Sequence, residues 1–255
     1  MCIRDRNCNH SGEGGFHNRN WEVRGYTDDS VVFAYLSKDG EAGFPGNLQV
    51  EARYVWTADN KLKLTLTATT DAPTVVNLTN HAYWNLKGHD TGSILGHMLR
   101  LEADSYLPTD ATLIPTGEIA AVEDTPMDFR SFKPIGRDID ADFPALKIGK
   151  GYDACWVVNG YADGEMRKVA TLIDETSGRM LEVSSDQPGV QVYTGNWLSG
   201  SPRNKSGRSY NDYDGIAIEC QGFPNSPNTP SFPSTLLRPG ETYRRRINFI
   251  FRTIK

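Results

Sequence analysis

The stretch Asn77-Leu-Thr-Asn-His81-Ala-Tyr-Trp-Asn-Leu-Lys-Gly88 sets a single imidazole among short amides and hydroxyls. Extended as a strand, it would alternate its side chains between two faces. Asn77, Thr79, His81, Tyr83 and Asn85 fall on one face, and Leu78, Ala82, Trp84 and Leu86 mostly on the other. A half-buried strand ordinarily turns charge toward water, so a row of neutral hydrogen-bonding groups around a histidine suits a pocket for a hydroxyl-rich ligand. A histidine satisfied in a polar patch between strands is the plainer alternative.

Two carboxylates could work with that imidazole. In Gly215-Ile-Ala-Ile-Glu219-Cys-Gln-Gly-Phe-Pro, alternation puts Ile216, Ile218 and Cys220 on one face and Glu219 on the other, with Ala217 and Gln221. A carboxylate inside an apolar strand is rarely buried without a partner, so Glu219 is either functional or paired for structure. Asp153, in Gly151-Tyr-Asp-Ala-Cys-Trp156, opens another apolar strand and could equally be a strand-entry residue. Near the start, Asn9-His10-Ser-Gly-Glu-Gly-Gly-Phe-His17 places two histidines among glycines, which admit close backbone approach to a ligand or make a plain flexible loop. His89 and His97 lie in turn-like surroundings and receive no role.

Other chemistries lack their signatures. The five histidines show no HExxH spacing and the four cysteines (Cys2, Cys8, Cys155, Cys220) no CxxC, so no metal site is expected. No GxSxG elbow, phosphate loop or dinucleotide fingerprint is present, and no cofactor is expected. What remains is a histidine with one or two carboxylates facing a hydroxyl-rich pocket, which suits proton transfer on a sugar.

Strands must position these groups. Ser30–Ser37 is an apolar run closed by Lys38-Asp39-Gly40. Leu48, Val50, Ala52, Tyr54 and Trp56 alternate with polar residues up to a turn at Ala58-Asp59-Asn60, and Leu62, Leu64, Leu66 and Ala68 alternate back, making a hairpin. Val169–Ile173 and Met180–Ser184 flank Glu175-Thr-Ser-Gly178 as a second hairpin; Val190–Thr194, Gly215–Cys220 and a closing run with Ile247, Phe249 and Phe251 read as further strands. No amphipathic helix of several turns is evident, and the 24 Gly and 14 Pro are concentrated between the runs. The pattern predicts an all-β sandwich or barrel in one domain, with longer polar loops at 104 to 150 and 199 to 214.

A net charge of −5 provides no basic field for nucleic acid, and Arg244-Arg245-Arg246 reads as the solvated face of the closing strand. No apolar stretch is long enough for a membrane helix. Cys155 and Cys220 sit in apolar runs and read as small core residues, so the default expectation is a reducing, cytoplasmic compartment, with periplasm or secretion left open.

Six segments, in order, carry a resemblance: His10–Trp21, Gly40–Leu48, Asn77–Gly88, Gly151-Tyr-Asp153, Gln187-Pro-Gly-Val-Gln-Val-Tyr-Thr-Gly-Asn-Trp197 and Gly215–Pro239. They cover nearly the whole chain from His10, and together they resemble the aldose 1-epimerase, or galactose mutarotase, family. The resemblance implies a large antiparallel β-sandwich, a supersandwich with little helix, and an open sugar cleft without cofactor. It implies Glu219 as general base toward the C1 hydroxyl and His81 as general acid toward the ring oxygen. The two would converge on one cavity and flank the anomeric centre from opposite sides. It further implies His10, Asp153 and, as a weaker candidate, Gln191 as sugar-binding residues. The partner would be a monosaccharide; the resemblance leaves the oligomeric state open.

Some features depart from the family pattern. His-Gly-Gly is His10-Ser-Gly here, and the aromatic residue after Gly-Tyr-Asp is displaced to Trp156. Nothing in residues 1 to 9 matches the strands and Asn-Arg pair that precede the His10 motif in the family. Met1-Cys-Ile-Arg-Asp-Arg6 reads as an adapter-derived artefact, leaving 7 to 255 as a mutarotase-like domain lacking its N-terminal strands. Three alternatives stand beside anomer exchange on free hexoses. A hexose-6-phosphate 1-epimerase would need Arg203, Lys205 and Arg208 as its phosphate site. A non-catalytic sugar-binding module would keep the fold without turnover. A retaining glycosidase would use Asp153 and Glu219 at about 5 Å.

Overall fold

The computed structural model describes residues 7–254 and the backbone of residues 3 and 4. The reading of residues 1–6 as an adapter remnant therefore lies mostly outside the described residues. Two antiparallel sheets dominate. The larger has nine strands in the order Lys133–Pro134, Met98–Leu101, Arg167–Asp174, Arg179–Ser185, Tyr243–Thr253, Lys61–Thr70, Leu48–Thr57, Ser30–Ser37 and Glu22–Tyr26. The smaller has six: Ala120–Ala121, Ser105–Leu107, Asp153–Val157, Gly189–Tyr193, Ile216–Gln221 and Tyr83–Trp84. The all-β sandwich expected from the alternating runs is the fold observed.

Period-two patterning explains the sheets. Both expected hairpins form, with Thr57 opposite Lys61 and Asp174 opposite Arg179. Asn60 supplies the left-handed residue of the first turn (φ 58°), a conformation asparagine tolerates. The inner faces meet in one core: Leu64, Leu66, Leu172, Leu181, Val183, Ile247 and Phe249 from the large sheet pack with Trp156, Val190, Val192, Ile216 and Ile218 from the small one. Trp156 is fully buried and its Nε1 donates to the Met127 carbonyl at 3.0 Å, so this aromatic is part of the core and turned away from the cleft side. Cys155 and Cys220 are buried, as their apolar surroundings suggested.

Three expectations are corrected. The Asn77–Gly88 segment is not one strand, because ladder pairing occurs only at Tyr83–Trp84. Side chains take over the ladder's work. Asn77 Nδ2 donates to the Gly222 carbonyl at 2.9 Å and its Oδ1 accepts from the Gly222 amide at 2.8 Å, while Thr79 Oγ1 donates to the Cys220 carbonyl at 2.8 Å. Residues 104 to 150 are not a polar loop. They hold three two- or three-residue strands and the six-residue helix Pro144–Gly149, and bury Leu107, Val122, Met127, Phe129, Ile135, Ile139 and Leu146. Their apolar residues follow no period because the backbone between them is irregular. The basic run is only partly solvated: Arg246 Nε pairs with buried Asp186 at 2.9 Å and Arg245 with Asp163 at 3.0 Å. Among the described residues no helix is long and apolar enough to cross a membrane.

Candidate active site

The outer face of the six-stranded sheet carries the chemistry, and register dictates which groups share it. Residues opposite each other on antiparallel strands point to the same side. Gln191 is opposite Glu219, Asp153 opposite Tyr193, and Ala217 opposite Tyr83. The same alternation sends Ile216, Ile218, Cys220, Val190 and Val192 inward. A strand whose one face closes the core must therefore present Glu219 on the other.

His10, His81, Asp153, Gln191 and Glu219 all line one cavity of about 790 Å³. His81 arrives on the irregular segment anchored by Asn77 and Thr79, two residues before Tyr83. Its Nε2 lies 3.5 Å from Glu219 Oε1. His10 lies above, its ring centroid 5.3 Å from that of His81, on a turn in which both His10 and Ser11 are left-handed (φ 54° and 55°). Gln191 Nε2 donates to Asp153 Oδ1 at 2.7 Å, which fixes the amide and orients the carboxylate. The other polar residues of the His81 row act differently. Asn77 and Thr79 spend their donors on backbone carbonyls, and Asn85 Nδ2 donates to the carbonyls of Gly92 and Asp214.

The electrostatics of the cavity favour neutral groups. Burial, then the nearby negative charge of Asp153, pushes the Glu219 carboxyl up to about 8. Burial lowers His81, a backbone hydrogen bond opposes that, and the more distant His17 side chain lowers it further. His10 is lowered by burial and then by His81 and His17, partly opposed by Asp153. Across neutral pH the resting pair thus holds one proton, on Glu219 in preference to His81. A pair sharing one proton has two microstates of equal charge, and either composition gives the same pH plateau.

Sequence reasoning left some cavity groups without a role. Tyr193, two residues after Gln191 on the same strand face, has its ring 6.3 Å from His81 and accepts from the Trp197 amide at 3.1 Å. The period-two rule applied onward from Gln191 would have found it. Trp197, 63% exposed, also lines the cavity, and the Lys150 ammonium sits 4.6 Å from its ring centroid. Among the described residues, no three His, Cys, Asp or Glu side chains are grouped to hold a metal ion. His97 is buried apart from the cavity, its Nε2 accepting from the Leu86 amide at 3.0 Å.

Comparison with known proteins gives the family. A profile of the family described as aldose 1-epimerase matches residues 1–249. The aldose 1-epimerase of Escherichia coli (strain K12) is 39% identical over 245 residues, spanning 95% of this chain and 69% of that protein. Galactose mutarotase of Homo sapiens is 40% identical over 249 residues, spanning 97% of this chain and 70% of that protein. Among solved structures, an aldose epimerase homologue from C. elegans superimposes with a TM-score of 0.86 at 31% identity, covering 97% of this chain and 73% of its own.

Proposed function

We propose how the site works from one established fact: the chain belongs to the aldose 1-epimerase family. It is an isomerase that interconverts the α and β anomers of free hexoses. Glu219 is the general base and His81 the general acid. Glu219 takes the proton from the C1 hydroxyl, and the C1–O5 bond breaks as electrons move to form the aldehyde. His81 delivers its proton to O5, which becomes a hydroxyl. After rotation about C1–C2 the same steps run backward on the other face, so each group ends the cycle as it began. Asp153, held by Gln191, accepts from sugar hydroxyls, and His10 donates near the ring oxygen.

The observation that carries this reading is the 3.5 Å approach of His81 Nε2 to Glu219 Oε1 on one cavity wall. The two oxygens of a hemiacetal are bonded to a single carbon. Groups that serve both must therefore converge, so neighbouring positions suit the task better than opposite sides of the sugar. The proton inventory fits as well: between the lowered His81 value and about 8 for Glu219, the pair holds the one proton that the cycle uses. The ionised base with the protonated acid is the reactive microstate of that pair.

The alternatives fit less well. Arg203, Lys205 and Arg208 do not line the cavity, and Arg208 is bound to Asp90, which favours free over phosphorylated sugars. Convergence of an acid and a base argues against a purely binding module. Asp153 is engaged by Gln191 where a glycosidase would need an unencumbered partner for Glu219. The buried thiols of Cys155 and Cys220 suit a reducing cytoplasm.

Polarimetry of α-D-galactose tests the assignment. Glu219→Gln keeps the shape and loses the basicity, so kcat should drop by about 10²–10⁴-fold while sugar binding persists. The wild-type kcat/KM should be bell-shaped, with its alkaline limb near 8 from Glu219 and its acid limb below the usual histidine range from His81. Activity of Glu219→Gln within a few-fold of wild type would remove Glu219 from the mechanism.

A further inference from the structure

We infer that His17, which lies outside the cavity, makes a graded electrostatic adjustment to His81 across a row of three imidazoles. This rests on the reading of His81 as the acid. His10 is the shared ring: its centroid is 5.3 Å from that of His81 and 6.3 Å from that of His17, the second contact edge-on at 84°. His17 does not line the cavity and is exposed, so it can be changed without touching sugar.

The local backbone keeps His17 against its neighbour. A Cβ at Gly15 would fall 2.2 Å from the His10 carbonyl oxygen and 2.6 Å from His17 Cε1, so only glycine lets the turn close so tightly. The loop is pinned again beyond His17. Arg19 Nε donates to Glu41 Oε1 at 2.8 Å, and the Tyr35 hydroxyl donates to the same carboxylate at 2.7 Å. The spacing of the three rings is therefore built into the fold.

The other ionisable groups around the row are few. His81 faces Glu219, Tyr83, Tyr193 and His10. Asp153 acts on His10 from the neighbouring strand, with a sign opposite to that of His17. Arg19 is already matched by Glu41. A positive charge on His17 disfavours a second one on His10 or His81, and so makes His81 a stronger acid. Burial remains the larger influence on His81, with His17 a graded adjustment added to it.

The test is a charge series at position 17, using the whole chain, with kcat/KM followed by polarimetry across the acid limb at low and high salt. His17→Asp should move the limb furthest toward higher pH. His17→Asn should move it less, by roughly 0.2–0.5 pH unit for a like charge removed at this range. His17→Lys should leave it at or below the wild-type position. The ordering should shrink when salt at about 0.5 M screens the exposed charge. A merely structural role would change kcat or KM without moving the limb in order of charge, and coincident limbs across the series would overturn the inference. Glu219→Gln, run in parallel, keeps the two claims separate. Retained activity in that variant removes the acid–base assignment itself, whereas its loss with coincident limbs removes only the role of His17.

Discussion

Adjacent residues on one strand, Ile218 and Glu219, are nearly equally buried at 1% and 6% exposure, yet they occupy opposite physical worlds. Ile218 points between the sheets among Val192, Trp156 and the large sheet's aliphatic side chains, where burial itself stabilises the fold. Glu219 points into the cavity, where burial without an adequate counter-charge destabilises its ionised form. The inner face of the sheet is thus optimised for folding, and the outer face holds groups away from their preferred protonation states. Sites that perform proton transfer are where such a cost is expected.

The largest separation of the two faces should come from Glu219→Gln, because the loss of activity and the gain in stability have one cause. Glu219 has a folded value of about 8 against an ordinary value of 4.5, so the folded chain holds a proton that the unfolded chain releases between those limits. The stability this proton contributes is fully present below about 4.5 and is lost as pH rises through 8. His81, His10 and His97, all lowered by folding, have the reverse effect, which fades as pH rises past their ordinary value of 6.5. The fall as pH approaches 8 is therefore carried by Glu219. In Glu219→Gln that fall should vanish, leaving the variant more stable than wild type above pH 8 by an amount on the order of 3–5 kcal/mol. Chemical denaturation at a series of pH values reads it; parallel curves for the two proteins would show that Glu219 is not held protonated.

Ile218→Ala should do the opposite at the neighbouring position. Removing a fully buried aliphatic group between packed sheets costs about 2–5 kcal/mol. The carboxylate beside it keeps its backbone position, so turnover per folded molecule should change little. Urea midpoints together with polarimetry at a temperature where both proteins are folded would check this. A drop in turnover comparable to that of Glu219→Gln would mean that the two faces are mechanically coupled and the contrast between them is false.

Legibility in the sequence follows the same division. Alternation is a property of ladder-paired strands, so the two hairpins, the Glu219 strand and its inward-facing partners could be read residue by residue. It also fixed the face that carries Glu219, whereas Gln191 came only from the resemblance, and its place opposite Glu219, like that of Tyr193 opposite Asp153, needed the register. Where side chains replace the ladder, alternation misled: Asn77 and Thr79 looked like ligand donors and instead hold backbone. Residues 104 to 150 bury Met127, Phe129 and Ile135 from irregular backbone, for which no period exists. The proximity of His17 to His10 depends on the close approach permitted at Gly15, a contact with no sequence signature.

The smallest effect concerns how the irregular segment holds His81 at all. Asn77 behaves as an extra rung beside the Ile216–Gln221 strand, giving Gly222 both an acceptor and a donor. In Asn77→Ala both backbone groups of Gly222 lose their partners, which costs about 1–3 kcal/mol where water cannot fully replace them. Asn77→Asp keeps the acceptor for the Gly222 amide but sets an anion against its carbonyl, so it should not restore the rung. His81 is four residues further on, and Thr79 still anchors the path through the Cys220 carbonyl. Activity should therefore fall only a few-fold in Asn77→Ala, with the acid limb of the pH profile unmoved because no charge near His81 has changed. If that limb moves, Asn77 is tuning the imidazole, and the boundary between the scaffold and the chemical face must be drawn further along the segment.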